Sequence, residues 1–255
     1  MSERPSEISL FWGSLAVGGI ERVMIALAEE FLCRGVETNI ILLKEEGELI
    51  GEIPSGACVF DLGADGLFES IPALTKHLIK HRPSVLLSAS PYSNRVAILA
   101  RTCAVTSVPV VISNHSMFSV HRTKSLLSDW GVRQLTKWTY AFADRMIAVS
   151  EGVAEEVSES LSLQREAFDI VHNPIVGPKT FELAEQAIEH PWFSDERQPV
   201  VLGAGRLVED KGFSTLLRAF AQVREALRAR LVILGEGKER RVLERQAQQL
   251  GVSDH

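Results

Sequence analysis

The chain has 255 residues, of which 45% are hydrophobic and 24% charged, enough for one large domain or about one and a half ordinary ones and too apolar for a disordered or fibrous protein. Its formal net charge of −6 argues against general nucleic-acid binding. Residues 1–11 are acidic and polar where a secretory signal needs a basic patch and a long apolar run, and no stretch approaches the ~18–20 apolar residues of a membrane span, so a cytoplasmic protein is expected. Cys33, Cys58 and Cys103 are far apart and have no histidine cluster beside them, so neither a disulfide nor a metal site is expected, and all three read as buried apolar positions.

Short β-branched runs alternate with amphipathic helical stretches from the start, the pattern of a parallel, doubly wound α/β sheet. Strands are predicted at 8–12, 38–43, 58–63, 85–89, 109–113, 145–150 and 168–171, and their near-continuous apolar character implies burial on both faces. The first helix carries Ile20, Val23, Met24, Leu27, Ala28 and Phe31 on one stripe, with Gly35 placed to end it. A second stripe, Ile71, Leu74 and Leu78, ends before Pro83. Residues 130–140 interleave Trp130 and Trp138 with Arg133 and Lys137, and Lys76, Lys80 and Arg82 lie on an earlier helix. Core packing with snorkelling cations is the preferred reading of both stretches, and contact with anionic lipid the alternative. Ser150 reads as an N-cap.

After Pro174 the pattern loosens, with a short helix expected near 181–188. The reading is one Rossmann-like domain over 1–178, a linker over 179–198 and the first βαβα part of a second domain over 199–255. In that last part strands are expected at 200–203 and 231–234 and helices at 213–227 and 239–250, two strands being too few to cover the helices' apolar faces. It holds ten Lys/Arg against seven Asp/Glu, a balance suited to a phosphorylated ligand, although solvated helix faces account for most such charges.

Two strand-to-helix turns carry candidate chemistry. In the first, Gly18 and Gly19 precede a helix whose N–H groups can meet an anion; a tight turn needing positive φ is the plainer reading. In the second, Gly205 to Gly212 place Arg206 and Lys211 between a strand end and a helix start, where two cations and a helix dipole suit a diphosphate. A dinucleotide fingerprint is not met, because Val208 stands where the third glycine belongs, and no P-loop ending is present.

Gly205-Arg206-Leu207 with Glu209-Asp210-Lys211-Gly212, then Gly235-Glu236-Gly237, together with Gly18-Gly19-Ile20-Glu21-Arg22, Ala143-Asp144-Arg145 and His172-Asn173-Pro174 upstream, resemble in order and spacing the marks of family 4 glycosyltransferases. The resemblance covers essentially the whole chain. It implies the GT-B fold and transfer of a sugar, with retained anomeric configuration, from a nucleotide-diphosphate sugar, UDP- or GDP-linked, to a glycan or lipid-linked acceptor of cell-surface polysaccharide. It also implies no metal and no separate cofactor, and no nucleic-acid partner; peripheral contact with the inner membrane face is a further expectation. By position, Arg206 and Lys211 resemble the diphosphate-binding pair, Gly18 and Gly19 a loop that closes over the donor, and Gly235 and Glu236 a loop near the nucleoside. His115 resembles the histidine near the transferred sugar, with a role in hydrogen bonding and orientation.

The family's Glu-x7-Glu element, expected further along the donor domain, does not follow Gly237 here. The expectation is therefore a truncated donor domain with weak or no transfer activity in this chain, and the alternative is a non-enzymatic fragment or degenerate binding module of the same family.

Overall fold

The computed structural model describes residues 7–115, 126–174, 176–193 and 198–254. The chain divides after Gly177 into two compact units. The first is a seven-stranded sheet built from β1 (Glu7–Trp12), β2 (Glu37–Leu42), β3 (Cys58–Asp61), β4 (Val85–Ala89), β5 (Val110–Asn114), β6 (Arg145–Ala148) and β7 (Phe168–Ile170), in the order β3-β2-β1-β4-β5-β6-β7. Every pairing is parallel.

Parallel strands leave both faces apolar, so helices must cover both. Leu10, Trp12, Ile40, Leu42 and Ala89 point to one face and pack with α1 (Gly19–Cys33) through Met24, Ile25 and Ala28. Alternate residues, among them Phe11, Ile41, Leu86 and Ile112, point to the other face. There they meet α2 (Leu67–His81), α3 (Pro91–Ala104), α4 (Leu126–Tyr140) and α5 (Glu151–Leu161).

Helix ends follow local chemistry. Gly35 takes φ +74, and the N–H groups of Gly35 and Val36 donate to the carbonyls of Leu32 and Phe31 at 2.9 Å each, closing α1 in a Schellman turn. Ser150 caps α5 by accepting from the Val153 N–H at 3.3 Å. α2 stops at Arg82, in the left-handed region, immediately before Pro83.

The second unit has α6 (Pro178–Ala184), then β8 (Val200–Ala204), α7 (Phe213–Ala226), β9 (Arg230–Leu234) and α8 (Arg240–Gln249). β8 and β9 pair in parallel, and Phe213, Leu217, Phe220 and Leu243 pack on one face of them. Val201, Leu202 and Leu234 are exposed. Gly251 and Val252 repeat the Schellman closure at the end of α8, donating to Gln248 and Ala247, and Val252 tucks into this core.

The structure corrects four expectations. All three cysteines are exposed: Cys33 and Cys103 lie in last helical turns on the outer side, and Cys58 opens the edge strand β3. Burial on both faces holds for β1, β2, β4 and β5, whereas Cys58 and Asp61 of the edge strand β3 are exposed and only Ala148 of β6 is buried. Trp130 and Trp138 are exposed, because the face of α4 that packs on the sheet carries Thr136, Thr139 and Tyr140 instead. The short helix before β8 starts at Pro178, three residues earlier than expected, with proline taking a first-turn position.

His77 of α2 is buried against Phe60 of β3, its ring 4.6 Å away, and stacks on His81 at 4.3 Å. Burial, with the positive charge of His81 and Lys80 adding to it, pushes its imidazole down to about 4 from 6.5. The folded state thus binds this proton less readily than the unfolded chain, so its contribution is fully present above pH 6.5 and is lost as pH falls toward 4. We expect a loss on the order of 1–2 kcal/mol from this group between pH 7 and 4.5. Urea titrations at the two pH values measure it, and His77→Phe is expected to show the smaller acid loss.

Candidate functional site

β1 is the centre from which the first sheet grows both ways: the chain moves to β2 and β3 on one side and returns to β4 on the other. The loops leaving β1 and β4 therefore diverge at their carboxyl ends, the place where open α/β sheets form a binding crevice. The loop after β1 is pinned from below. The Leu15 N–H donates to Glu46 O at 2.8 Å, the Leu49 N–H to Leu15 O at 2.9 Å, and the Trp12 indole to Ser14 O at 2.8 Å. Gly47 (φ +127) permits this contact, since a Cβ there would lie 2.1 Å from the Leu15 carbonyl carbon.

Neither Gly18 nor Gly19 adopts positive φ, so the tight-turn reading of this pair falls. Gly18 is the extended N-cap of α1, and the Glu21 carboxylate occupies the space where its Cβ would be, 2.1 Å from Oε2. Nothing lies within 4 Å of a Cβ at Gly19. Arg22 is engaged by Glu52 at 3.2 Å.

His115 follows β5 on the same edge of the sheet, with β4 between it and β1. One ring nitrogen, Nε2, meets Ser113 Oγ at 3.0 Å, while Nδ1 is buried and, among the described residues, has no hydrogen-bond partner of good geometry. Burial pushes the imidazole down to about 4, with the nearby Asn173 amide acting weakly in the opposite direction. At neutral pH the ring is uncharged: it can orient a ligand through Nδ1 but cannot serve as a cationic acid.

Beneath His115 runs a buried polar network. The Asn94 amide of α3 donates to Ser113 O at 3.1 Å and to the Tyr140 hydroxyl at 3.0 Å. Tyr140 in turn donates to Asn114 Oδ1 at 2.9 Å, and the Asn114 amide donates to Ile147 O at 3.1 Å. Burial pushes the Tyr140 phenol up to about 12, so it stays a donor. Asn94, Asn114 and Tyr140 escaped the sequence reading because their partners are remote in the chain.

Ser90 escaped it too. It ends β4 at the divergence point with φ 92 and ψ 145, a conformation close to glycine-only, and caps α3 by accepting from the Ser93 N–H at 3.2 Å. A Ser-Pro pair at a strand end was the available signal.

In the second unit, Arg206 and Lys211 lie on one loop, Gly205 to Gly212, between β8 and α7. Both are exposed, and among the described residues neither side chain has an ion pair or hydrogen bond. The Lys211 stem passes Gly205, its Cδ 3.9 Å from where a Cβ would stand. No side chain caps α7, whose N-cap is Gly212 at φ +67, so its first N–H groups remain open to an anion.

The loop after β9 is pressed against this one. Gly235 (φ +152) and Gly237 (φ +156) would place a Cβ 1.9 Å from Gly205 O and 2.3 Å from Leu207 O. Backbone bonds lace the two loops together, from Gly205 to Leu234 at 2.9 Å and from Leu207 to Glu236 at 2.8 Å. Glu236 is held by Arg240, which also reaches Glu244 at 3.0 Å. An apolar groove of about 340 Å³ lined by Leu207, Phe220, Ile233 and Leu243 has Gly235 and Arg240 on its wall, but neither Arg206 nor Lys211. Of the other basic residues of this segment, Arg224 donates to Ala229 O and Arg230 stacks on Trp192, 4.9 Å from the ring centre, whereas Arg228, Lys238 and Arg241 are exposed away from this loop's start.

A parallel sheet wound in both directions from β1, followed by a second βαβα unit with a cation-bearing turn, is the arrangement of the GT-B fold. Residues 17–176 match the family described as Glycosyltransferase Family 4, and residues 185–255 match Glycosyl transferases group 1. The chain belongs to glycosyltransferase family 4.

Among its relatives is the N-acetylgalactosamine-N,N'-diacetylbacillosaminyl-diphospho-undecaprenol 4-alpha-N-acetylgalactosaminyltransferase of Campylobacter jejuni. It is 25% identical over 252 residues, covering 91% of this chain and 63% of that protein. The lipopolysaccharide core biosynthesis glycosyltransferase LpsE of Rhizobium meliloti is 27% identical over 241 residues, covering 92% and 62%. The chain thus spans less than two thirds of the length of either relative. In fold it is similar to Anabaena Alr3699/HepE, solved with UDP and glucose, with a TM-score of 0.70 at 19% identity over 97% of this chain and 67% of that one. WaaG, a glycosyltransferase involved in lipopolysaccharide biosynthesis, gives 0.67 at 17%, over 97% and 68%.

Tyr140→Phe removes the hydroxyl shared by Asn94 and Asn114 and leaves a buried acceptor unpaired, at a cost of about 1–3 kcal/mol. The expected result is a lower denaturant midpoint with an unchanged slope.

Proposed function

We propose that the protein transfers a sugar from a nucleotide-diphosphate sugar, UDP- or GDP-linked, to a glycan or lipid-linked acceptor, with retention of anomeric configuration. The observation that carries this is the unpaired, exposed pair Arg206 and Lys211 on a loop that runs into the uncapped start of α7. Arg206 would grip diphosphate oxygens through parallel hydrogen bonds, and Lys211 would add a movable charge. Both then stabilise the charge that grows on the leaving diphosphate, on a loop already fixed by its neighbour and needing little reorganisation.

The names of the relatives support the substrate class. The Campylobacter enzyme's name specifies a diphospho-undecaprenol acceptor, and Alr3699/HepE was solved with UDP. Gly235 and Glu236 lie beside the cation loop and are assigned to the nucleoside side. Gly18 and Gly19 are assigned to close backbone approach to the donor, a use consistent with the open space at Gly19. For His115 we assign orientation of the transferred sugar: its buried Nδ1, without a well-placed partner among the described residues, would meet a sugar hydroxyl.

Transfer or hydrolysis of UDP- and GDP-sugars, measured on these 255 residues and on a chain extended to the length of the relatives, tests the reading. In the extended chain Arg206→Ala or Lys211→Ala is expected to lower turnover at least ~10-fold, since one lost donor to a developing oxyanion often costs ~10²–10³. Near-normal turnover in both variants would overturn the assignment, and donor binding without turnover would favour a binding module. Gly19→Ala separates ligand approach from folding: a helical Gly→Ala change should hold or raise stability by roughly 0.5–1 kcal/mol, while donor affinity falls.

A further inference from the structure

Arg95 of α3 is a half-buried cation without a counterion among the described residues. Arg22, Arg34, Arg101 and Arg165 of the first unit each meet a carboxylate, and the other arginines described there, Arg95 apart, are exposed. The hydrogen bond that Arg95 makes runs from Nη1 to Thr136 Oγ1 at 3.0 Å, which leaves four of the five N–H donors of its guanidinium unused.

The acidic residues of the elements flanking α3 are spent or distant. Glu69, in the first turn of α2, accepts from the Asp65 N–H at 2.9 Å. Asp144 is taken by Arg101 at 3.1 Å and by the Val110 N–H at 2.8 Å. Asp129, the acidic residue of α4, stands seven residues before Thr136, about 10 Å along the helix axis. Burial pushes the Arg95 guanidinium down from its ordinary value, and the groups that offset this are the phenols of Tyr140 and Tyr92 rather than a carboxylate.

The charge is also turned against its own helix. Cζ of Arg95 lies 6.0 Å from the centre of the Tyr92 ring, three residues nearer the start of α3, so the side chain runs back toward the helix N-terminus. The helix dipole disfavours a cation at that end and favours an anion. α3 starts from Ser90, where the loops after β1 and β4 diverge, so this end of the helix lies on the edge where open α/β sheets bind ligands. A half-buried charge without a partner costs stability, and a planar fork with unused donors is the shape that takes an oxyanion through two parallel hydrogen bonds. A phosphate monoester, with three acceptor oxygens and close to two charges at neutral pH, answers those donors better than a carboxylate does.

We propose that Arg95, backed by the Tyr92 ring, is a phosphate-binding site of the first unit, additional to Arg206 and Lys211 on the second. Under the transfer reaction proposed above, Arg206 and Lys211 serve the donor and Arg95 holds a phosphate group carried by the acceptor. The acceptor role rests on that reading; the site itself does not.

Titration of the 255-residue chain with inorganic phosphate, glycerol phosphate and glucuronate, followed by amide NMR spectra and by thermal unfolding, tests it without turnover. Both phosphates are expected to shift the amides of residues 90–96 and the Arg95 Nε–H, and glucuronate to shift them much less. Tighter binding of glycerol phosphate than of inorganic phosphate assigns the site to an esterified phosphate, and the reverse order would overturn the acceptor role. Arg95→Met should lower phosphate affinity at least ~10-fold. In phosphate-free buffer it should melt no lower than the parent, because the hydrogen bond lost to Thr136 is offset by removal of a half-buried charge. A purely structural arginine gives the opposite pair of results, a lower melting temperature with the phosphate response unchanged, and that outcome would overturn the inference. So would shifts confined to residues 205–216, the cation loop and the start of α7, an outcome the proposed function would survive. Arg206→Ala with Lys211→Ala is expected to leave the response at residues 90–96 in place, so the two readings fail separately.

Discussion

The parallel hydrogen-bond ladder is the constraint on which the rest depends. Because every strand in each unit runs the same way, every strand-to-helix loop leaves from one edge of its sheet. Side chains from distant parts of the chain are gathered there without any loop having to reach for them. The same ladder demands helices on both faces, and the crossing from one face to the other at β1 and β4 opens the edge where Gly18 and Ser90 lie. Ser90 shows the cost: a non-glycine residue is held near a glycine-only conformation so that its hydroxyl can cap α3.

In the second unit the equivalent edge is stiffened by backbone touching backbone. Gly235 and Gly237 are required twice over, by positive φ and by lack of space, which makes the loops after β8 and β9 a single body. Arg206 and Lys211 project from that body with their charges unspent, whereas the cation of Arg240 is consumed by Glu236 and Glu244. A segment that looks uniformly basic in composition therefore separates into cations that brace structure and cations left available.

Much of this was legible in the sequence wherever a signal is local. Apolar runs marked the strands and apolar periodicity the helices α1, α2 and α7, though not α3, Gly35 announced a Schellman turn, and Ser150 a cap, because these depend on residues close in the chain. What could not be read is what depends on contacts across the chain. Tyr140 lies 46 residues from Asn94 and 26 from Asn114, and nothing in a run of Thr-Tyr-Ala announces that its hydroxyl is shared between them. The cysteines and the α4 tryptophans were misread for the converse reason. Apolar character was taken as burial, but only the packed helix shows which side faces the sheet, and on α4 two threonines and a tyrosine hold that side.

α4 is locked to the first unit from its inner side. Its inner face is tied to α3 through the hydrogen bond from Arg95 to Thr136 at 3.0 Å, and to the end of β5 through Tyr140. The helix is therefore not free to roll on the sheet: turning its outer residues would break a buried network whose unmet polar groups are costly. The same network sets the orientation of the strand end that carries His115, so α3, α4 and that edge of the sheet act as one rigid element.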